Sequence, residues 1–408
     1  MNIIGIIILI TLICEVLLNF IADFLNISVL KKEIPSEFQG LYDAETYKRS
    51  QEYLKVNVQF TWVERLFDLT LLLVFWFSKG FFYLDNWVRA FNFGSILSGL
   101  IYISVLAFAK FILSLPFSLY STFVIEEKFG FNKTTLKTYI QDTLKGLVLA
   151  AIIGAPILSG IIFFFDYTGQ YGWIFCWIFV TIVSLFVHFI APTWILPLFN
   201  KFKPIEEGDL KSEIIAYAEK IDFPLKNIFI VDGSKRSSKS NAFFTGFGNN
   251  KRIALFDTLI EKHSTKELIA VLAHEMGHFK KKHILKSVIL NILHGGLIFF
   301  LLSIFISYNK LFECFFMEHI SVYAGLIFFS MLFTPIELLL DILLNIYSRK
   351  IEYEADKFAV ETTDDKESLV NALKNLSFDN LTNLKPHQFY VFLHYSHPPV
   401  LERIKALS

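Results

Sequence analysis

What most constrains this chain is a set of apolar runs, each long enough to cross a bilayer. A spanning helix needs about 20 mostly apolar residues. Such runs fall at 3–25, 66–84, 96–119, 146–165, 173–196, 284–308 and 322–347. The expected fold is therefore mainly α, a multi-pass membrane bundle of about seven transmembrane helices. Composition agrees: only 19% of the 408 residues are charged and 46 are phenylalanine, where soluble domains average about 25% charged. The first run is expected to stay in the mature chain. It lacks a basic leading region, is too long for a signal peptide, and has no A-x-A site after it.

The connections between runs set an expected orientation. Lys31, Lys32, Lys48, Arg49 and Lys55 follow the first run, and Lys128, Lys133, Lys137 and Lys145 follow the third. The stretches after the fifth and seventh are also lysine-rich, whereas those after the second and sixth hold Arg89 and Lys310 and that after the fourth holds neither type. Basic connections stay cytoplasmic, so these belong inside and the N-terminus outside. Net charge is zero, which gives no reason to expect nucleic acid or a polybasic surface anchor. Cys14, Cys176 and Cys314 lie far apart in or beside apolar runs, so neither a disulfide framework nor a cysteine metal knuckle is expected.

Several runs carry charge. Asp23 suits snorkelling near an interface; Glu15 and Lys110 also sit within runs. Glu337 and Asp341, mid-run and four apart, point to a bundle interior or a wet cavity. Between Asn200 and His283 the chain turns polar. An amphipathic helix is expected from Asp209 to Lys220, ended by the Asp222–Pro224 break, then a strand in NIFIVDGS. Two further strands, around Ser240–Thr245 and Arg252–Phe256, are joined by Gly-Phe-Gly-Asn-Asn at 246–250. Ser264 and Glu267 form a capping-box signature, and the helix they open is expected to run through ELIAVLAHEMGHFKKKH.

That helix contains H-E-x-x-H. His274 and His278, four apart, share a face and can aim both imidazoles at one point, as a zinc ion requires. Glu275 sits on the flank, where it reaches water beside the metal and can act as general base. By chance the pattern recurs in on the order of one chain in a hundred of this length. A catalytic zinc needs a third protein ligand. Other histidines and several carboxylates are candidates; His283, five beyond His278, is expected on another face of the same helix. The persuasive segment is SRKIEYEADKFAVE, where Glu352 and Asp356 lie one turn apart. One can bind metal while the other braces a histidine; Glu354 points away toward solvent.

H-E-x-G-H, then E-x-x-x-D after a membrane run, then SHPPVLERI, resembles the type 1 CAAX prenyl protease family. LYDAETYKRSQEY, TFVIEEKFGFN, APTWILPLFNKF, GSKRSSKSNAFF and KRIALFDTL extend the resemblance over nearly the whole chain. It implies an integral-membrane zinc endopeptidase with seven helices around a chamber and a zincin-like α+β catalytic domain on the cytoplasmic side. It also implies His274, His278 and Glu352 as ligands of one Zn2+, Glu275 as base and Asp356 as the aspartate behind a ligand. His397 matches the histidine facing the scissile carbonyl. Asn241 and Ala242 match the strand that holds substrate. Arg403 matches an arginine grouped with them whose role is structural or orienting. Lys239 departs from the family, which has histidine before Ser-Asn.

The implied organisation is a membrane bundle at 1–200, a cytoplasmic zinc-protease region at 201–283, two more spans at 284–347, and a C-terminal catalytic segment at 348–408. The implied activity removes the C-terminal tripeptide of prenylated C-a-a-X proteins or peptides, by a monomer in the endoplasmic reticulum or a bacterial inner membrane. Its partners would be a peptide or protein substrate and the bilayer. The rivals are a quality-control metalloprotease acting on non-prenylated proteins, and a transporter or channel without catalysis.

Overall fold

The computed structural model describes residues 1–30, 33–245 and 251–407. Lys31, Lys32 and the expected turn at 246–250 lie outside the described residues. The first half is helical: α1 (Ile3–Ser28), α2 (Ala44–Phe77), α3 (Gly80–Arg89), α4 (Ser95–Tyr120), α5 (Leu136–Tyr167), α6 (Gly172–Ile190) and α7 (Leu196–Phe199). Six helical stretches are each long and apolar enough to cross a membrane, and α2 with α3 makes a seventh if that pair, bent by 61°, counts as one span. The expected second span at 66–84 thus straddles a break at Lys79, whose φ is 61°. Leu17, Phe108, Ile152 and Ile182 are each more than half exposed. Leaving so many large apolar side chains unburied is costly in water, and lipid removes the cost.

The charged residues inside the runs mostly find partners across helices. Lys110 pairs with Asp68 of α2. Asp23 corrects the snorkelling expectation: it is buried, bound by Arg65 Nη1 at 2.5 Å and Trp62 Nε1 at 3.0 Å. Taking a carboxylate out of water needs such compensation, and here it bolts α1 to α2. All three cysteines are free thiols.

The polar insert folds as β1 (Phe202–Pro204), α8 (Asp209–Lys220), β2 (Leu225–Val231), β3 (Ala242–Thr245), β4 (Lys251–Phe256), α9 (Asp257–Lys262) and α10 (Thr265–Lys280). The sheet order is β1-β2-β4-β3. β2 and β4 are parallel; β1–β2 and β3–β4 are antiparallel, with Ala242 opposite Leu255. β3 is therefore an edge. Two membrane helices follow, α11 (His283–Phe305) and the long α13 (Val322–Thr363), with the short α12 (Asn309–Glu313) between them. The chain closes with α14 (Lys366–Asp379), α15 (Gln388–His394) and α16 (Val400–Leu407). Ile214, Leu255, Leu272, Met276, Ala359 and Leu369 share one buried core, so α8, the sheet, α10, α13 and α14 form a single layered unit.

The Ser264 cap is present in full: its hydroxyl accepts from Glu267 N–H, and the Glu267 carboxylate accepts from Ser264 N–H. The helix it opens is shorter than expected. α10 stops at Lys280, and Lys282 turns the chain with φ 59° before α11 starts at His283. His283 therefore lies on a new helix and not on another face of the same one.

Candidate functional site

α10 and α13 meet at a close crossing, and Gly277 makes it possible. A Cβ there would come within 3.0 Å of Phe358 Cδ1 and 3.3 Å of the Ala355 carbonyl oxygen. With only hydrogen at that point, the histidine face of α10 lies against the face of α13 that carries Glu352 and Asp356. α13 reaches this place because it runs for 42 residues, far past what a bilayer needs.

At the crossing His274 Nε2 and His278 Nε2 are 3.1 Å apart. Glu352 Oε2 lies 3.4 Å from the first, and its Oε1 lies 3.3 Å from the second. The three residues form a group able to hold a metal ion. A tetrahedral zinc with ligands at about 2.0–2.1 Å has donor atoms about 3.3–3.4 Å apart, and these separations fit. Glu352 Oε2 is also buried without a well-formed hydrogen bond, its nearest polar neighbours being His274 Nε2 at 3.4 Å and Arg403 Nη1 at 3.7 Å. A carboxylate oxygen left so is costly unless a cation takes it up. The donor set and its orphaned oxygen therefore suit zinc.

Behind the donors, His274 Nδ1 is 2.8 Å from Asp356 Oδ1. Arg403 grips the same carboxylate with Nε at 2.7 Å from Oδ2 and Nη2 at 2.5 Å from Oδ1. Burial opposes charge on the His274 ring, but its bond to Asp356 and the nearby Glu352 carboxylate win and push its pKa up to about 9. Asp356 thus fixes the tautomer that leaves Nε2 free for metal. Arg403, grouped by resemblance with substrate contacts, has its fork committed to Asp356.

His397 stands at the rim, its side chain 65% exposed and Nε2 3.4 Å from Glu352 Oε1. Its Nδ1 shares a hydrogen bond with Ser396 Oγ at 3.0 Å. Glu275, Asn241 and Ala242 line the same cavity of about 590 Å³, which continues past Ser287 and Asn291 of α11 to His188 of α6. A second cavity of about 230 Å³ shares His188 and Asn291 and lies deeper between the same two helices. At a similar level of α11, His294 meets Glu337 of α13 at 3.1 Å, so the mid-run glutamate has a partner on a neighbouring helix.

The edge strand is anchored at its start. Asn241 C=O accepts from Phe256 N–H at 3.2 Å, so by alternation the main-chain groups of Ala242 turn away from β4. Ser240 is buried, with Oγ donating to Asp379 at 2.8 Å and N–H to Asn380 at 3.1 Å. Lys239 has an environment of its own. Its ammonium is 2.9 Å from Glu126, donates to Tyr53 Oη at 2.8 Å and lies over the Phe131 ring. It thereby ties the strand to α2 and to the end of the α4 span.

Sequence reasoning missed His283. Its ring is buried, with Nδ1 3.1 Å from His278 Nδ1 and Nε2 3.1 Å from Glu354 Oε2. Glu354, expected to point to solvent, is thus engaged. The one cue was a third histidine five residues after His278; the break that brings it back has neither glycine nor proline to announce it.

Comparison with known proteins accounts for both halves. Residues 24–201 match the family described as CAAX prenyl protease N-terminal, five membrane helices, and residues 204–408 match peptidase family M48. The chain is 36% identical over 405 residues to CAAX prenyl protease 1 of Saccharomyces cerevisiae, covering 92% of this chain and 88% of that one. It is also 36% identical over 424 residues to a Homo sapiens CAAX prenyl protease 1 homolog, with the same shares covered. Its structure superposes on the crystal structure of S. mikatae Ste24p with a TM-score of 0.94 at 34% identity, over 100% of each chain. Likeness that runs unbroken through the spanning helices and the polar catalytic half has one reading: the chain belongs to the CAAX prenyl protease family, integral-membrane metalloendopeptidases of peptidase family M48.

Proposed function

We propose that the chain frees the C-terminal tripeptide of prenylated C-a-a-X proteins or peptides, with one zinc ion held by His274, His278 and Glu352. The observation that carries this is a donor triangle opening onto a cavity that joins edge strand β3 to membrane helices α6 and α11. A peptide can enter along β3 while an attached isoprenoid rests among the spans. Family membership removes the transporter or channel alternative.

When bound, zinc supplies a Lewis acid that polarises the scissile carbonyl and acidifies water enough for attack near neutral pH. Ala242, whose main-chain groups turn away from β4, holds the substrate as an added strand through main-chain hydrogen bonds, with Asn241 beside it at the start of the edge. For that, the Asn241 side chain, which now accepts from Ala242 N–H at 2.8 Å, gives way to the substrate. Glu275 takes the proton from the attacking water and hands it to the leaving amine. His397 donates to the carbonyl oxygen as charge develops there. Asp356 keeps His274 in its metal-facing tautomer, and Arg403 keeps Asp356 in place.

The polar unit at 201–283 and the tail at 348–408 act together on the cytoplasmic side. The spans at 1–200 and 284–347 house the substrate's lipid, and the N-terminus faces outside. The protein works as a monomer, in the endoplasmic reticulum of a eukaryote or the inner membrane of a bacterium. The test is purified protein with a farnesylated C-a-a-X peptide and its unprenylated twin. Release of the tripeptide from the farnesylated peptide alone, or far faster from it, is expected. Equal cleavage of both would favour quality control of non-prenylated proteins, and cleavage of neither by zinc-loaded protein would overturn the reading.

A further inference from the structure

The site described so far braces its two histidines unequally. His274 has Asp356 behind it, whereas nothing in the expected residue set stands behind His278. Yet a metal-bound imidazole must place its other nitrogen somewhere, and such nitrogens almost always donate to a partner that fixes the ring.

We infer that His283 and Glu354 form a relay that holds His278 in its metal-binding orientation, an inference resting on the zinc reading above. The hydrogen bonds leave one consistent arrangement. His278 Nε2 faces the donor triangle, so its proton sits on Nδ1. That N–H can donate only to an acceptor, and His283 Nδ1 lies 3.1 Å away. His283 is then neutral with its own proton on Nε2, 3.1 Å from the Glu354 carboxylate, which accepts it. Glu354 sets the tautomer of His283, and His283 sets that of His278. One ligand is braced by a carboxylate directly, the other through an intervening imidazole.

The backbone is arranged around this contact. Had α10 continued unbroken, residues five apart would lie on different faces. The reversal at Lys282, in a left-handed conformation that lysine disfavours, starts α11 with His283 folded back onto His278. The ring is 99% buried on that account: its side chain is 1% exposed. Glu354 completes the chain from α13, two residues past ligand Glu352, so the brace joins the first turn of α11 to the helix that carries the third ligand.

His283 and Glu354 are positioning residues, and the test must read more than turnover. Full-length protein in detergent is assayed for zinc affinity by chelator competition and, after cobalt substitution, for its visible absorption. His283→Leu, which keeps bulk but offers no hydrogen bonds, should weaken zinc binding about ten- to hundredfold and shift the cobalt bands. His283→Gln, which retains an acceptor and a donor, should recover most of the loss. Glu354→Ala should lose less, and its effect should not add to that of His283→Leu.

Zinc affinity of His283→Leu within about twofold of the parent, or equal losses for Leu and Gln, would overturn the relay. So would a drop in metal-free unfolding temperature large enough to explain the whole loss, since that would make His283 a packing residue. His278→Ala separates the two levels. If that variant keeps full zinc affinity, the donor set itself is wrong and the proposed function falls with it. If it loses zinc while His283→Leu does not, only the relay falls.

Discussion

Glu275 sits between His274 and His278, two members of the donor group, on one helix, yet the proposed function assigns its carboxylate to protons and not to the ion. Glu275→Gln tests that division, because it keeps the shape and removes the proton acceptor. Zinc content should be unchanged while turnover falls by roughly 10²–10⁴-fold; normal turnover with zinc in place would exclude Glu275 as the base. His274 offers a second handle. In the metal-free chain its pKa is pushed up to about 9, against about 6.5 for a free imidazole, and zinc must displace that proton. Apparent zinc affinity should therefore climb about tenfold per unit as pH rises toward 9, then level off. The same raised pKa stabilises the metal-free fold fully below about 6.5, and that contribution is lost as pH rises through 9. Chelator competition across this range checks the slope; a flat profile would mean that His274 is already neutral. The grouping of His274, His278 and Glu352 was legible in part: helical spacing in H-E-x-x-H puts two side chains on one face, and family resemblance chose Glu352 over Asp356 as the third. Arg403's grip on Asp356 was not, since 47 residues and two intervening helices separate them, and no local rule reports a contact of that reach.

At the scale of elements, the helix crossing carries the site. Glycine to alanine inside a helix ordinarily stabilises it by roughly 1 kcal/mol. At Gly277 the sign should reverse, because the added Cβ would meet Phe358 Cδ1 at 3.0 Å and the Ala355 carbonyl at 3.3 Å. Phe358 can shift, but the carbonyl belongs to α13 and moves only with it. Gly277→Ala should thus push α10 from α13 by a few tenths of an ångström and lower zinc affinity and thermal stability together. A variant as stable and as zinc-replete as the parent would show that the crossing has slack. Elements announced by chemistry were readable in advance. The Ser264 cap, the Asp209–Lys220 helix and the edge strand follow from capping, amphipathic period and β-branched runs. Breaks at Lys79 and Lys282 were not, since each puts lysine at positive φ, a conformation set by packing against propensity. The second span shows the same limit on boundaries: the expected 66–84 falls within the bent α2–α3 pair. Hydropathy sees only the apolar part of α2, whose polar first half, from Ala44, extends beyond it.

For the molecule as a whole, the decisive matter is which end faces which compartment. The structure sorts its loops into two ends without reference to a membrane. At one end Asn2 donates to the Lys310 carbonyl at 2.6 Å, and Trp76 Nε1 to the Cys314 carbonyl at 2.7 Å. At the other, Asn26 Oδ1 accepts from Asn383 and from His387 N–H, so α1 finishes against the C-terminal segment at 348–408. The lysine-rich connections are expected inside from their charge, and two of their lysines lie at this second end: Lys133 N–H donates to the Arg236 carbonyl, and Lys145 to the Leu198 carbonyl. If those connections lie inside, as their charge leads one to expect, the donor group of His274, His278 and Glu352 lies inside with them. Single cysteines at Lys310 and Lys385, both exposed, turn this into a measurement. Cys14 is exposed and is first replaced by serine, while Cys176 and Cys314 are buried. In sealed vesicles of right-side-out orientation, an impermeant maleimide should label Lys310→Cys at once and Lys385→Cys only after permeabilisation. The reverse order would put the metal site outside, where no cytoplasmic prenylated substrate could reach it. Labelling of both before permeabilisation would mean that α11 and α13 do not both cross, which would break the link between the two halves of the site.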